Sequence, residues 1–173
     1  LTRIEADCVY AGIIVDTNNF LAKTGIRTFE AAAYLRRCGA DVTRVRKIMR
    51  NDVSAYKARA EAIQNAELYH ECYAIGILPN KGLDMPTIIG AQASNELLNI
   101  IGVKASFVLT DYNNIIYISA RSIDEVNVQI IMERLGGGGH MNIAGAQLSG
   151  ITAEAAKAKL KETLDAMIRD GAI

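Results

Sequence analysis

The chain has 173 residues, half of them hydrophobic, and its 19 Lys and Arg balance its 19 Asp and Glu. That is enough for one good core or two small ones, and the neutral balance provides no global field to attract nucleic acid or a membrane surface. Cys8, Cys38 and Cys72 are scattered without Cys-x-x-Cys spacing, which argues against an extracellular disulfide framework and reads as reduced, buried thiols of a cytosolic protein. No apolar run approaches the roughly 20 residues that span a bilayer. The chain opens at Leu1 without a start methionine or signal peptide. It therefore reads as part of something longer, with room elsewhere for membrane segments or regulatory domains.

In chain order, residues 1–15 are helix-like through Ile4, Cys8, Ala11 and Val15, and Ile13-Ile-Val15 closes on Asp16, a carboxylate followed by turn formers. Thr28 is a plausible N-cap for a helix over 29–38, with Glu30 in its first turn and Gly39 as its stop. Asp41 can cap the next helix, to about Asn51, and Asp52 a longer one over 53–69. The texture changes at Glu71. Residues 72–78 are strand-like, Pro79-Asn-Lys-Gly82 is a turn, and Pro86 sits in the first turn of a helix that Gly102 ends. A hairpin follows, 105–109 and 115–119 around Asp111-Tyr-Asn-Asn114. A helix over 126–135, a glycine loop, a strand over 143–148 and a final helix over 153–169 complete the chain. An all-helical piece, too small to bury more than about 60% of its unfolded surface, thus precedes an α/β piece from about residue 71. The first piece reads as the end of a larger lobe.

The stretch Arg134-Leu-Gly-Gly-Gly-Gly-His140 carries the clearest chemistry. Gly136, Gly137, Gly138 and Gly139 expose backbone N–H groups with no side chain in the way, and glycine reaches the angles that turn such groups into an anion nest. His140 can bond a phosphate oxygen or carry a proton near neutral pH. The bland alternative, a flexible linker, is disfavoured by the periodic apolar residues on both flanks. Arg121, at the end of a predicted strand, could bond a phosphate twice or lie on the surface. Asn127 and Gln129 face either ligand or solvent. Asp16 is one carboxylate, and with only two histidines, His70 and His140, the chain cannot assemble the Asp and His set of a two-metal site. Alone, Asp16 reads as a turn or capping residue. His70 reads as structural or solvated at a helix end, and the basic run from Arg36 to Arg50 as a solvated helix face.

Taken together, Gly12-Ile-Ile-Val-Asp-Thr-Asn-Asn-Phe20, Thr24-Gly-Ile-Arg-Thr-Phe29, Ile118-Ser-Ala-Arg-Ser122, Val126-Asn-Val-Gln129 and Leu135-Gly-Gly-Gly-Gly-His140 resemble a known module. It is the C-terminal catalytic part of bacterial cyclic-di-AMP phosphodiesterases built from DHH and DHHA1 domains, the GdpP type. The resemblance implies an α/β fold in three parts: 1–52 as a helical remnant of a DHH lobe, 53–70 as a linker helix, and 71–173 as a DHHA1 domain with a mixed sheet. It implies hydrolysis of cyclic-di-AMP to linear pApA by two Mn²⁺ ions in the intact enzyme, with Asp16 as a metal ligand. Arg121, Ser122, the four glycines and His140 would form the substrate-phosphate site. The Asp-His-His segment that names the family lies upstream of anything present here, so this piece is expected to grip a cyclic or short linear dinucleotide without cleaving it. A nanoRNase acting on short RNA is the runner-up. A non-catalytic nucleotide- or RNA-binding module, as attached to alanyl-tRNA synthetases, is a third reading. The resemblance further implies a cytoplasmic location, with the intact protein anchored to a bacterial membrane or free of it and no membrane contact by this piece. A homodimer is compatible with it.

Overall fold

The computed structural model describes residues 1–50, 52–79 and 82–173, which fall into two compact units, Leu1–Asn51 and Asp52–Ile173. The first unit is helical: α1 (Arg3–Asp16), α2 (Ile26–Arg37) and α3 (Val42–Ile48). Thr2 and Glu5 start α1 with a reciprocal capping box, each bonding the other's backbone N–H. The cap of α2 is Gly25, not Thr28: Thr28 sits in the first turn, and its hydroxyl accepts the Gly25 N–H at 3.3 Å. Gly39, past the end of α2, has φ +101°, which glycine tolerates. Asp41 caps α3 as expected, accepting from the N–H groups of Thr43 and Arg44, and that helix ends at Ile48; Asn51 lies outside the described residues.

The core of this unit is small: Ala6, Tyr10, Ala32, Leu35, Ala40 and Val45. The expected apolar stripe of α1 faces outward instead, with Ile4 76% and Val15 68% exposed. Cys8 is exposed and Cys38 and Cys72 are half-buried, so the three free thiols are not the buried ones expected. What α1 buries is Ala6, Asp7 and Tyr10. Asp7 accepts the Asp41 N–H at 2.7 Å and two bonds from the Arg44 guanidinium, at 2.7 and 3.2 Å, tying α1 to the start of α3.

In the second unit α4 (Val53–Gln64) leads into β1 (Glu67–Tyr69), β2 (Tyr73–Leu78), α5 (Pro86–Leu97), β3 (Ala105–Tyr112), β4 (Ile115–Ser122), α6 (Val128–Arg134), β5 (Gly138–His140), β6 (Ile143–Ser149) and α7 (Ala153–Arg169). The helix read over 53–69 stops at Gln64, because residues 67–69 pair instead with β2. His70 therefore sits in a β-turn, with φ +48°, and its Nε2 lies 2.8 Å from Asp165 Oδ1 on α7. Asn80 and Lys81 of the expected turn lie outside the described residues. Asn113 and Asn114, at φ +53° and +61°, supply the left-handed pair that closes a two-residue hairpin between β3 and β4.

The strands form one six-stranded mixed sheet in the order β1-β2-β3-β4-β6-β5. Only β2 and β3 run parallel, joined through α5; the other neighbours are antiparallel. One face is closed by α6 and α7, whose Ile131, Met132, Leu160 and Leu164 pack with Phe107, Leu109, Ile116 and Ile118. Each such buried side chain contributes roughly 1.5–3 kcal/mol. The other face is covered over β2 and β3 by α4 and α5, through Ala58, Ala62, Ile89, Ala93 and Leu97. Over β4 and β6 burial alternates strictly, and the second face of those strands lies open except where α5 reaches β4.

Candidate functional site

The open half-face is where the sequence-derived candidates gather. Along β4 the residues on that face are Tyr117, Ser119 and Arg121, alternating with buried Ile116, Ile118 and Ala120. Directly paired residues share a face, so the register extends each row sideways. Arg121 pairs with Ile143, which pairs with His140; Ser119 pairs with Gly145, which pairs with Gly138; Tyr117 pairs with Gln147. The face thus has a basic row, a middle row bearing one hydroxymethyl and two bare glycines, and an aromatic-amide row. A cleft of ≈ 490 Å³ opens over the last two, with Thr87 of α5 and Gly136 and Gly137 at its border. Volumes of roughly 300–1,000 Å³ are usual for small-ligand sites.

Arg121 is half-buried against α5. Its Nε donates to Asn95 Oδ1 at 3.0 Å and its Nη1 to the Ala120 carbonyl at 2.9 Å. Among the described residues no carboxylate lies within ion-pair distance of it. Burial pushes its pKa below the ordinary arginine value by desolvation, yet a guanidinium stays charged at neutral pH. A charge stripped of water and given no counter-ion favours an incoming anion. Asn95 itself is held by its neighbour on α5. The Ser94 hydroxyl lies 2.9 Å from that of Ser106 on β3 and donates to the Ser119 carbonyl at 3.1 Å, with both serines fully buried.

The four glycines do different jobs. Gly136, at φ +79°, ends α6, while Gly138 and Gly139 with His140 form β5, so most of the expected loop is an edge strand. A Cβ on Gly137 would collide with the backbone of Gly145 and Ala146, and one on Gly139 with that of Ile143 and Ala144. Gly138 meets neither restriction: nothing lies within 4 Å of its Cβ position and its φ is ordinary. Neither packing nor conformation explains its lack of a side chain. It lies on the open face between Arg121 and the cleft.

Other candidates stand apart. Ser122 alternates to the buried side, its hydroxyl 3.5 Å from the Met141 carbonyl, so it does not share the face of Arg121. Asn127 caps α6 by accepting the Gln129 N–H, and the Gln129 side chain donates to Glu133. Asp16, in the first unit, ends α1, where the helix dipole disfavours a carboxylate. Its side chain is 76% exposed and Lys23 Nζ lies 3.9 Å away. Asp16 does not cap the turn. Thr17 does that, donating to the Ile13 carbonyl and accepting the Phe20 N–H. Asn18, Asn19 and Phe20 are all left-handed, with φ of +46°, +61° and +66°, a costly run that tends to mark functional segments. Among the described residues no group of three or more His, Cys, Asp or Glu could hold a metal ion. Asp16 alone does not fit a Mn²⁺ pair.

A family model described as DHHA1 domain matches residues 72–170. The chain belongs to the DHHA1 domain family. It is 42% identical over 165 residues to the cyclic-di-AMP phosphodiesterase PdeA of Listeria monocytogenes, covering 95% of this chain and 25% of that protein. It is 45% identical over 173 residues to the cyclic-di-AMP phosphodiesterase GdpP of Bacillus subtilis, covering 99% of this chain and 26% of that protein. The chain thus spans about a quarter of the length of these curated relatives. An exopolyphosphatase-related protein from Bacteroides fragilis shares the fold, with TM-score 0.78 at 22% identity over 97% of this chain and 52% of that one. The sheet that carries the open face lies within the DHHA1 match except for β1. Among the described residues no helix is long and apolar enough to cross a membrane.

The sequence reading missed Asn95, Ser119, Tyr117, Gln147 and Gly145 as members of this face. A signal was present: Tyr117-Ile-Ser-Ala-Arg121 alternates polar with apolar at the strand period.

Proposed function

We propose that the intact protein is a phosphodiesterase that opens cyclic-di-AMP to linear pApA, and that this chain supplies the surface gripping the nucleotide phosphates. The observation that carries the reading is the half-buried, carboxylate-free Arg121 aligned across three strands with His140, beside the bare Gly138. Likeness to two proteins named for that activity, along nearly the whole chain, supports it. On this reading residues 1–52 belong to a DHH lobe, 53–70 link it, and 71–173 are the substrate-binding domain.

The chemistry available to this chain is electrostatic. Arg121 retains free N–H donors beyond those used on Asn95 and Ala120, and charge-assisted bonds from them to phosphoryl oxygens are the strong kind. His140 adds a donor beside the same anion, while the Gly136 and Gly137 N–H groups already donate to the Glu133 and Met132 carbonyls and so do not form the expected nest. In the intact protein Asp16 would supply one ligand to a Mn²⁺ site completed by residues outside this chain, on the cytoplasmic side. Fixed donors of this kind hold the phosphate in place and stabilise the charge that builds on it during cleavage.

Calorimetric titration of this chain with pApA and cyclic-di-AMP, with a Mn²⁺ hydrolysis assay on the same sample, tests the reading. Binding without cleavage is expected. Absence of binding to either dinucleotide, or preference for short RNA in turnover by the intact protein, overturns it.

A further inference from the structure

The cleft beyond the basic row has a chemistry of its own. Tyr117 is half-buried, and its ring lies 6.4 Å from that of Tyr112 at 49°, so two rings border one end of the open face. Gln147 stands directly opposite Tyr117 in the register and is exposed. Its carboxamide offers one acceptor and two donors and, among the described residues, has no hydrogen-bond partner. Between this row and Arg121 lie only Ser119, Gly145 and Gly138, so a chain of sugar and phosphate can pass close to the backbone. Tyr117 is four residues from Arg121 on one strand, roughly 13 Å. A dinucleotide laid along β4 covers that span.

We infer that the Tyr117–Gln147 end of the cleft is an adenine subsite. Tyr117 provides the stacking platform, and the Gln147 carboxamide reads the base edge. An amide side chain matches the adjacent acceptor and donor of adenine's N7 and N6, and a base of any kind stacks on an aromatic ring. The bare middle row then fixes the order of contacts, with phosphate at Arg121 and His140, backbone over the glycines, and base at Tyr117. This inference rests on the phosphate reading of Arg121.

The test is titration of this chain with pApA, with pUpU, and with a 5′-phosphorylated dinucleotide lacking both bases. Wild type is compared with Tyr117→Ala, Tyr117→Phe, Gln147→Ala and Arg121→Ala, each checked by thermal melting. Tyr117→Ala is expected to weaken pApA about tenfold or more while leaving the base-free ligand unchanged, and Tyr117→Phe to keep wild-type affinity. Gln147→Ala is expected to abolish the preference for pApA over pUpU. If Tyr117→Ala and Gln147→Ala bind pApA like wild type while Arg121→Ala loses every ligand, the base subsite is wrong and the phosphate site stands. If Arg121→Ala binds all three ligands like wild type, the phosphate reading falls and the subsite with it.

Discussion

Two adjacent glycines offer a sharp test, because the structure assigns them opposite reasons for being glycine. A Cβ added at Gly137 would lie 2.6 Å from Ala146 Cα and 2.7 Å from its Cβ, and closer still to the Gly145 carbonyl oxygen. Restoring ordinary contact at 3.4 Å requires a backbone shift of roughly 0.8 Å from Ala146 alone, against strand β6 in a paired sheet. Overpacking of this kind costs about 1–3 kcal/mol. The stiffer unfolded chain returns about 0.4–1 kcal/mol of that. The net loss for Gly137→Ala is therefore about 1–2 kcal/mol, a drop in melting temperature of roughly 4–8 °C for a domain of this size. At Gly138 there is open space and an ordinary φ, so Gly138→Ala should hold or raise stability by about 0.4–1 kcal/mol. Its methyl group nonetheless stands on the face between Arg121 and the cleft, and should weaken dinucleotide binding. Thermal unfolding followed by circular dichroism, paired with pApA titration, reads both. Gly137→Ala melting with wild type would refute the packing argument, and Gly138→Ala binding pApA at full strength would refute the functional one.

Arg121→Ala should cost about 1.5–3 kcal/mol of pApA affinity, as loss of a charge-assisted contact does, while Asn95→Ala should cost less and raise the salt sensitivity of binding as the guanidinium loses its anchor; equal affinities for all three proteins would remove Arg121 from the site. In the intact protein Asp16→Asn should lower Mn²⁺ affinity while leaving its thermal unfolding unchanged in the absence of metal, and unchanged metal binding would leave Asp16 without a role. Acid should destabilise both units. The Arg44 guanidinium holds the Asp7 carboxyl below its usual range, Lys161 and Lys157 do so for Glu67, and His70 and Tyr69 for Asp165. Each folded-state pKa is depressed, so the stabilisation is present above the ordinary carboxylate value near about 4 and is lost as pH falls below it. Urea midpoints measured from pH 7 to pH 3 should decline at the acid end, and Asp7→Asn should lower the midpoint at pH 7 while flattening that decline.

Local chemistry was legible in the chain itself. The β3–β4 hairpin (though its turn is Asn113-Asn114 and tighter than the Asp111–Asn114 connection expected), the Asp41 cap, Pro86 opening α5 and the full span of α7 depend on residues a few positions apart, whose preferences act before any packing. The glycine run and Arg121 were also legible as candidates, but the chain could not say that Gly136, Gly137 and Gly139 are glycine for conformation or packing and Gly138 for neither. Tertiary structure alone decided which candidates meet. Arg121 and Ser122 are neighbours in sequence, but the strand period sends them to opposite faces, and only the pairing of β4 with β6 and β5 sets His140 and Gly138 beside the first. Asn95 reaches Arg121 across 26 positions because Ser94 docks α5 on β3 and β4. The apolar stripe of α1 misled for the same reason: periodicity identifies a face but not what covers it. Partners distant in the chain are chosen by packing, and periodicity carries no record of that choice.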